Sequence, residues 1–313
     1  MKYVLRRGVT LAVTLLLVSM ITFLIFQIMP GDPALTILGL DAEQQQIDAL
    51  REEFNLDKNV TERYALWFSD FIRGDLGESI RFNAPVSELI RSRLPVTFSL
   101  TIMSFILIII FSIPLGIIAA RAHGKWVDYF VKIATQLGMA IPSFWLGILL
   151  MLLFGMVLKM FTTIGYIPWS ENPVEAFKSL LLPAIAIAIP QIAIVVRYLR
   201  SSLIEQLDLD YVRTAHSKGL AKNVIIYKHV LRNSLIPVIT VMGMIIAKIL
   251  IGSIVLEQVY SLPGLGRLLV ASISYRDFPL IQGMIMRIAT TVIVINFIVD
   301  VLYRVLDPRI RLG

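Results

Sequence analysis

Six apolar segments, each close to or above the length needed to cross a lipid bilayer, constrain this chain more than any other feature. A hydrocarbon core about 30 Å thick requires roughly 20 apolar residues in helical form. The segments lie at residues 9–29, 96–120, 133–158, 179–196, 235–256 and 281–302. Their apolar residues run continuously and do not alternate with polar ones, which favours helices over a β-barrel. The sequence therefore predicts an all-α polytopic membrane protein with six transmembrane helices.

Composition agrees with a membrane location. The chain is 57% hydrophobic and 16% charged, with a mean hydropathy of +0.78, whereas a soluble domain is about 45–50% apolar. The first segment is longer than the roughly 7–15 apolar residues of a signal peptide, and no small-residue cleavage site follows it. We interpret it as a retained helix. The sequence contains no cysteine, which excludes disulfide and thiol chemistry within it.

Lysine and arginine residues concentrate in the short segments of one side of the predicted membrane. These segments are residues 1–8, 121–132, 197–234 and 303–313. Because short basic loops stay in the cytoplasm, both termini are predicted to be cytoplasmic. The net charge of +7 then belongs mainly to a face that meets anionic lipid, and it does not indicate nucleic-acid binding.

The chain divides into three regions. Residues 1–29 form a cytoplasmic start and the first span, residues 30–95 an extracytoplasmic helical loop, and residues 96–313 the core with the five further spans. In the extracytoplasmic loop, Asp41 is expected to cap one helix, and a second helix is expected over residues 61–73. We expect these helices to rest on the outer membrane surface.

A second external segment, at residues 257–280, carries a turn signal at Pro263 and Gly264 and further backbone freedom at Gly266. A helix over residues 267–274 would be too short to span the membrane. The segment is therefore expected to dip back from the outer surface, where protein or water must satisfy its open backbone groups.

Prolines fall in or near several of the spans. They are Pro114, Pro142, Pro183, Pro190 and Pro237. Proline is tolerated in membrane helices where neighbouring groups satisfy the freed backbone. These residues indicate either kinks at which helices can bend or ordinary close packing, and Pro237 is expected to open the fifth helix.

A basic loop at residues 197–234 contains a short capped helix. Asp210 is suited to the N-cap and Gly219 to the C-cap of a helix over residues 211–218. A helix of this length is not stable alone in water, so it needs a partner surface. The alternative is an ordinary basic loop lying on anionic lipid.

A series of motifs along nearly the whole chain resembles the membrane subunit of ABC importers in the peptide/nickel permease family, in particular its B-type member. Two of them, YVRTAHSKGL and KHVLRNSLIP, resemble that family's coupling motif. Thr214, Ala215, Lys218 and Gly219 fit the pattern, whereas His216 and the serine after it replace Arg-Ala. The other motifs, in order, are PGDPA, GDLGESI, RLPVTFSLT, IPSFWLGILL, PGLGRLL and RDFPLIQG.

The resemblance implies an ATP-driven mechanism. A coupling helix would sit in a groove of a separate ATP-binding subunit and contribute Tyr211, Arg213, Thr214, Ala215, His216, Ser217, Lys218 and Gly219. The external re-entrant segment would contribute to a gate, through Glu257, Pro263, Gly264, Leu265 and Gly266. Independently of the resemblance, the chain has no G-x-x-x-x-G-K-[ST] phosphate-binding loop, so it is expected not to be an enzyme.

The resemblance also implies partners and a location. The partners are a homologous second permease subunit, two ATPase subunits that bind ATP and Mg, and an external substrate-binding protein that docks at residues 30–95 and 257–280. This chain itself would bind no cofactor. The location is the bacterial or archaeal cytoplasmic (inner) membrane.

Two basic residues lie within predicted spans. A charge at the bilayer centre costs roughly 2.5–3.5 kcal/mol on insertion scales, so each needs a partner or water. Lys248 is a candidate for the translocation path. Arg287 is a second candidate, with the alternative that it extends to the outer interface.

Two rival classes remain. An ATP-independent secondary transporter predicts an inverted repeat and acidic relays within the membrane, neither of which we find in the sequence. An intramembrane hydrolase needs a nucleophile and a base at one depth, and all three histidines map to the cytoplasmic side. For the importer, di- or oligopeptide is the expected substrate, and nickel or metallophore chelates and glutathione-like compounds are the alternatives. No His or Cys cluster predicts a metal site along the spans.

Overall fold

The computed structural model describes residues 2–28, 43–53, 57–161 and 165–306. Its regular elements, in chain order, are helices α1 (Lys2–Ile28), α2 (Gln44–Glu53) and α3 (Val60–Arg73), strands β1 (Glu78–Ser79) and β2 (Ala84–Pro85), helices α4 (Val86–Arg121), α5 (Trp126–Ala140) and α6 (Ser143–Leu150), π-helical turns at Met151–Val157, helices α7 (Pro173–Leu207), α8 (Asp210–Ser217) and α9 (Lys222–Val224), π-helical turns at Ile225–Val230, and helices α10 (Leu231–Val259), α11 (Leu265–Ser274) and α12 (Phe278–Leu306).

The spans confirm the predicted helical membrane fold. In the described ranges, five stretches are long and apolar enough to cross a membrane: Leu5–Ile28, Val86–Arg121, Pro173–Leu207, Lys222–Val259 and Phe278–Val301. A pair of shorter helices, Trp126–Ala140 and Ser143–Val157, brings the number to six when counted as one span.

The third predicted span is not the single helix that its apolar run suggested. Its two parts meet at an angle of 99°. The break falls at Ile141 and Pro142, where Ile141 takes an extended backbone with φ −85° and ψ 123°. Proline disfavours the helical region for the residue before it, which explains why the helix ends there.

The prediction that Pro237 opens the fifth helix is wrong, since it lies inside α10. The helical backbone begins earlier because Ile225, Ile226 and Val230 are buried and hold the preceding π-helical turns against the protein. Pro183 and Pro190 likewise lie inside the continuous helix α7.

The chain forms two compact units. In the unit made of Val96–Arg267 and the residues from Ile298 onward, α7 is central and packs against α5, α6 and α10. Small residues line its contacts, including Ala184, Ala186 and Ala188, which are buried. Such residues allow close helix approach in membranes, where apolar burial between helices supplies little driving force.

The other unit comprises the residues up to Pro95 and Leu268–Phe297. Here α3 packs on α1 through aromatic contacts, with the Phe23 ring 5.5 Å from Tyr64 and 5.8 Å from Trp67, measured between centroids. The hydroxyl groups of Ser19 and Tyr64 share a hydrogen bond of 2.8 Å. Helix α3 matches the helix predicted over residues 61–73, and Gly74 ends it with φ +88°.

The predicted cap at Asp41 lies outside the described residues. Helix α2 begins shortly after it, at Gln44.

Candidate functional site

Helix α8 presents two different sides. Val212 is 3% exposed and Ala215 is 8% exposed, and both belong to the apolar core of their unit. The side chains that face away from the core are Arg213, Thr214, His216, Ser217 and Lys218. The buried side packs on the π-helical turns Ile225–Val230. The core therefore holds the helix on one side, which supplies the packing surface that so short a helix needs, and the other side exposes polar side chains.

The ends of α8 differ by one residue from the prediction. Leu209, with an extended backbone at ψ 151°, is the N-cap, and Asp210 is the first helical residue. An acidic residue in the first turn is favoured by the helix dipole, and the Asp210 carboxylate lies 3.2 Å from Nη1 of Arg213. Tyr211, half-buried, donates its hydroxyl to Gln206 at 3.0 Å.

At the other end, Lys218 is the C-cap in place of Gly219. Gly219 follows with φ +78°, a conformation that only glycine adopts without strain. Its N–H donates to the His216 carbonyl at 2.9 Å, and the Leu220 N–H donates to the Ala215 carbonyl at 3.3 Å. These bonds satisfy carbonyls that the helix end leaves open.

The first part of the external segment is organised by Glu257, which is 0% exposed. The Thr97 hydroxyl donates to one carboxylate oxygen at 2.6 Å, and the Gly266 N–H donates to the other at 2.6 Å. The Leu265 N–H in turn donates to the Thr97 hydroxyl at 3.0 Å. All of these donors are neutral. The carboxylate of Glu257 thus ties the turn at 262–266 to α4.

Two glycines of this segment are required by space. A Cβ atom at Gly264 would overlap the Glu257 carboxylate, and one at Gly266 would lie 2.5 Å from the Ile254 carbonyl oxygen. Leu265 is buried beside them and Pro263 is half-buried. The structure therefore brings together all five residues assigned to this segment, and α11 begins at Leu265, two residues before the predicted start.

Asp277, in the second part of the external segment, was not found by sequence reasoning. It is buried and accepts hydrogen bonds from the Ser79 hydroxyl at 2.5 Å and from the N–H groups of Ile80 and Arg81 at 3.3 and 3.2 Å. It also accepts from the Leu280 N–H at 3.3 Å, as an N-cap of α12 does. An aspartate just ahead of an apolar helix is a capping signal that could have identified it.

A buried ion pair between α5 and α7 was also missed. Asp128 is 0% exposed, and Arg200 contacts it with Nε at 2.5 Å from one oxygen and Nη2 at 2.7 Å from the other. Lys132 and His123 lie 3.4 Å from the same carboxylate.

The two basic residues within spans are both exposed. Lys248 lies on a face of α10 that also exposes Met244, Ile251 and Val255. Arg287 is exposed on α12. Across residues 2–28, 43–53, 57–161 and 165–306, no group of three or more His, Asp or Glu side chains could hold a metal ion.

The fold is that of an ABC importer permease. The MetNI methionine ABC transporter, solved in inward-facing conformations, contains a chain that matches with a TM-score of 0.54 at 16% identity, over 70% of this chain and 96% of the other. At this identity the match shows the fold alone.

The chain belongs to the family of binding-protein-dependent transport system inner membrane components, whose model matches residues 112–312, while the model of the N-terminal part matches residues 1–101. The oligopeptide transport system permease protein AppB of Bacillus subtilis is 37% identical, over 99% of each chain. The glutathione transport system permease protein GsiC of Escherichia coli O6:H1 is 38% identical, also over 99% of each chain.

These matches confirm the predicted family and function class. The chain is a multi-pass inner-membrane permease component of a binding-protein-dependent ABC transport system, which works with a substrate-binding protein and an ATPase.

Proposed function

We propose that this chain is the membrane subunit through which an ATP-driven importer takes up peptides, and that α8 is its coupling helix. The observation that carries this proposal is the two-sided character of α8. Val212 and Ala215 fix the helix to the core, while its polar side chains stay exposed and can enter a groove of an ATPase subunit. A closing movement of the ATPase would then be passed to α7 and α10 through the buried side.

ATP and Mg belong to two ATPase subunits in this proposal, and the present chain hydrolyses nothing. The absence of a G-x-x-x-x-G-K-[ST] loop in the sequence supports this division of labour. A closing ATPase reaches α8 only from the cytoplasm, so α8 and both termini lie on that side. The excess of basic residues in the short loops of this side supports the orientation.

The external segment acts as a gate in this mechanism, and a homologous second permease completes the pathway. The buried Glu257 carboxylate supports the gate assignment, because it holds the turn at 262–266 in one position against α4. A gate that opens when the spans move must have a defined closed position, and this contact supplies one. The binding protein would deliver its cargo beside this segment and residues 30–95.

Peptide is the substrate that the relatives favour. AppB is named for oligopeptides and GsiC for glutathione, which is itself a peptide. A bare metal ion is not supported, since no metal-holding cluster occurs in the described part of the chain. Glutathione-like compounds and nickel or metallophore chelates are the alternative substrates for the same machinery.

The test is reconstitution of this permease with its second permease and ATPase subunits in proteoliposomes, with the external binding protein added. We expect ATP-dependent accumulation of a labelled tripeptide that unlabelled di- and tripeptides suppress. If only glutathione or only a nickel chelate suppressed this uptake, that compound and not peptide would be the assigned substrate. Uptake that persists without ATP and without the ATPase subunits would favour the secondary transporter and contradict the proposal.

Lys248 is proposed to face the translocation path, because its charge is exposed on an otherwise apolar face of α10. Lys248→Met is expected to lower tripeptide uptake about tenfold, since a hydrogen bond to a charged group contributes roughly 1.5–3 kcal/mol. Lys248→Arg keeps the charge and is the matched control. Arg287 is proposed for the same path and serves as a second position. Unchanged uptake in Lys248→Met, with normal assembly, would remove Lys248 from the path.

A further inference from the structure

The segment from Arg121 to Asp128 connects α4 to α5. It contacts one residue that precedes α8 in the sequence and one that follows it. We propose that this segment is a brace that positions the coupling helix and carries its movement into α5. The inference rests on the proposed function of α8 and adds residues that act through it. We call residues 121–128 the brace.

The first contact is the buried pair of Asp128 and Arg200. Arg200 lies near the end of α7, the helix that leads directly into α8, and its side chain is 13% exposed. Both carboxylate oxygens of Asp128 are engaged by the guanidinium, at 2.5 and 2.7 Å. This paired arrangement fixes orientation as well as distance, which a single contact does not.

The brace itself helps to hold that carboxylate. Gly124 has φ +73°, and its N–H donates to Asp128 at 3.1 Å. The Lys125 N–H donates to the Ala122 carbonyl at 2.9 Å, which closes the turn. The other basic side chains around the pair are Lys132 and His123, and both are exposed.

The second contact involves a residue that follows α8 in the sequence. Nη2 of Arg121, at the start of the brace, donates to the Asn223 side-chain oxygen at 3.1 Å. Asn223 belongs to α9, the short helix that follows α8. The brace therefore touches the segment before the coupling helix and the segment after it, while α8 has only Val212 and Ala215 buried.

This arrangement determines what moves with α8. A buried ion pair contributes little net stability compared with apolar packing, so defined geometry is the better reason for one here. A displacement of α8 changes the positions of Arg200 and Asn223 together. The brace converts that displacement into a movement of the N-terminal end of α5, which begins at Trp126. Helix α5 in turn leads into the 99° bend.

The experiment measures coupling in the reconstituted importer, as the ratio of ATP hydrolysis with tripeptide-loaded binding protein to hydrolysis without it, per assembled complex. Asp128→Asn removes the buried charge at constant size. Arg121→Gln removes the exposed contact without altering a buried group. Glu175→Gln is the matched control. It removes a solvent-accessible ion pair on α7, in which Nζ of Lys178 lies 2.7 Å from a carboxylate oxygen of Glu175.

We expect the coupling ratio to fall about tenfold in Asp128→Asn, within the range of typical coupling free energies. A smaller fall is expected in Arg121→Gln and none in Glu175→Gln. A merely structural role would reduce the amount of assembled complex without changing this ratio. The proposed role of the brace requires a lower coupling ratio in Arg121→Gln and in every Asp128→Asn sample that assembles. Any other result overturns the proposal.

A Gly219→Pro sample in the same assay separates this inference from the proposed function. If Gly219→Pro loses coupling while the brace variants keep it, α8 is the coupling helix and the brace is wrong. If Gly219→Pro also keeps coupling, the proposed role of α8 fails.

Discussion

Replacing Gly219 by proline is expected to lower ATP-driven uptake by about 100-fold or more, because proline restricts φ to about −65° and has no N–H. Gly219 has φ +78°, and its N–H donates to the His216 carbonyl. Proline therefore removes the end of α8 and redirects the chain that leads into α9. Uptake of labelled tripeptide into proteoliposomes and co-purification of the ATPase with the tagged permease measure the effect.

Gly219→Ala is the graded control. Alanine keeps the N–H but takes a left-handed conformation at a cost of roughly 1–2 kcal/mol, and no neighbouring atom lies within 4 Å of the added Cβ. Its uptake is expected to fall between that of the native chain and that of the proline variant. Full uptake and full ATPase co-purification in Gly219→Pro would show that the shape of this helix end is irrelevant to coupling.

Gly266→Ala should be the most damaging single-methyl change in the external segment. Its Cβ would overlap the backbone of Ile254, and a helix backbone cannot move aside as a side chain can. Overpacking of this kind costs about 1–3 kcal/mol. The turn at 262–266 would have to leave Glu257, so the hydrogen bond from the Gly266 N–H would be lost. We expect a lower thermal unfolding temperature in detergent and a tenfold or greater loss of uptake.

Gly252→Ala is the matched control on the neighbouring helix α10. The added methyl would lie 3.8 Å from Ile187, an ordinary contact distance. Because alanine is favoured over glycine within a helix by about 0.5–1 kcal/mol, this variant is expected to be as stable as the native chain or more so. Equal behaviour of the two alanine variants would contradict the close packing that we describe around Gly266.

Most of the fold could be predicted because its signals are local. A continuous apolar run needs no distant partner to be recognised, and the runs at 96–120 and 179–196 both lie within single helices. The same holds for α8, since a capping pattern and one glycine fix its ends to within a residue. Pro142 indicates either a kink or close packing, and the sequence does not decide between them because hydropathy does not distinguish a straight span from a broken one.

The contacts that organise the two candidate sites were less accessible from sequence. Asp128 and Arg200 are 72 residues apart in the chain, and Thr97 and Glu257 are 160 apart. No periodicity connects such positions, because the pairing depends on how the helices pack. Glu257 belongs to the predicted external segment because it follows the fifth apolar run, but its hydrogen bonds to Thr97 and Gly266 become evident only in the folded chain.

The 99° bend between α5 and α6 also bears on how the chain enters the membrane. A helix that spans the membrane needs about 20 apolar residues, but α5 has 15 residues, and α6 has 8 residues followed by 7 in the π-helical turns that continue it. A break between two helices leaves backbone groups without partners in the helix, and lipid cannot satisfy such groups. Because both helices pack against α7, we expect the third span to become stable only once α7 has been synthesised. We therefore expect these segments to leave the translocon together and not one after another.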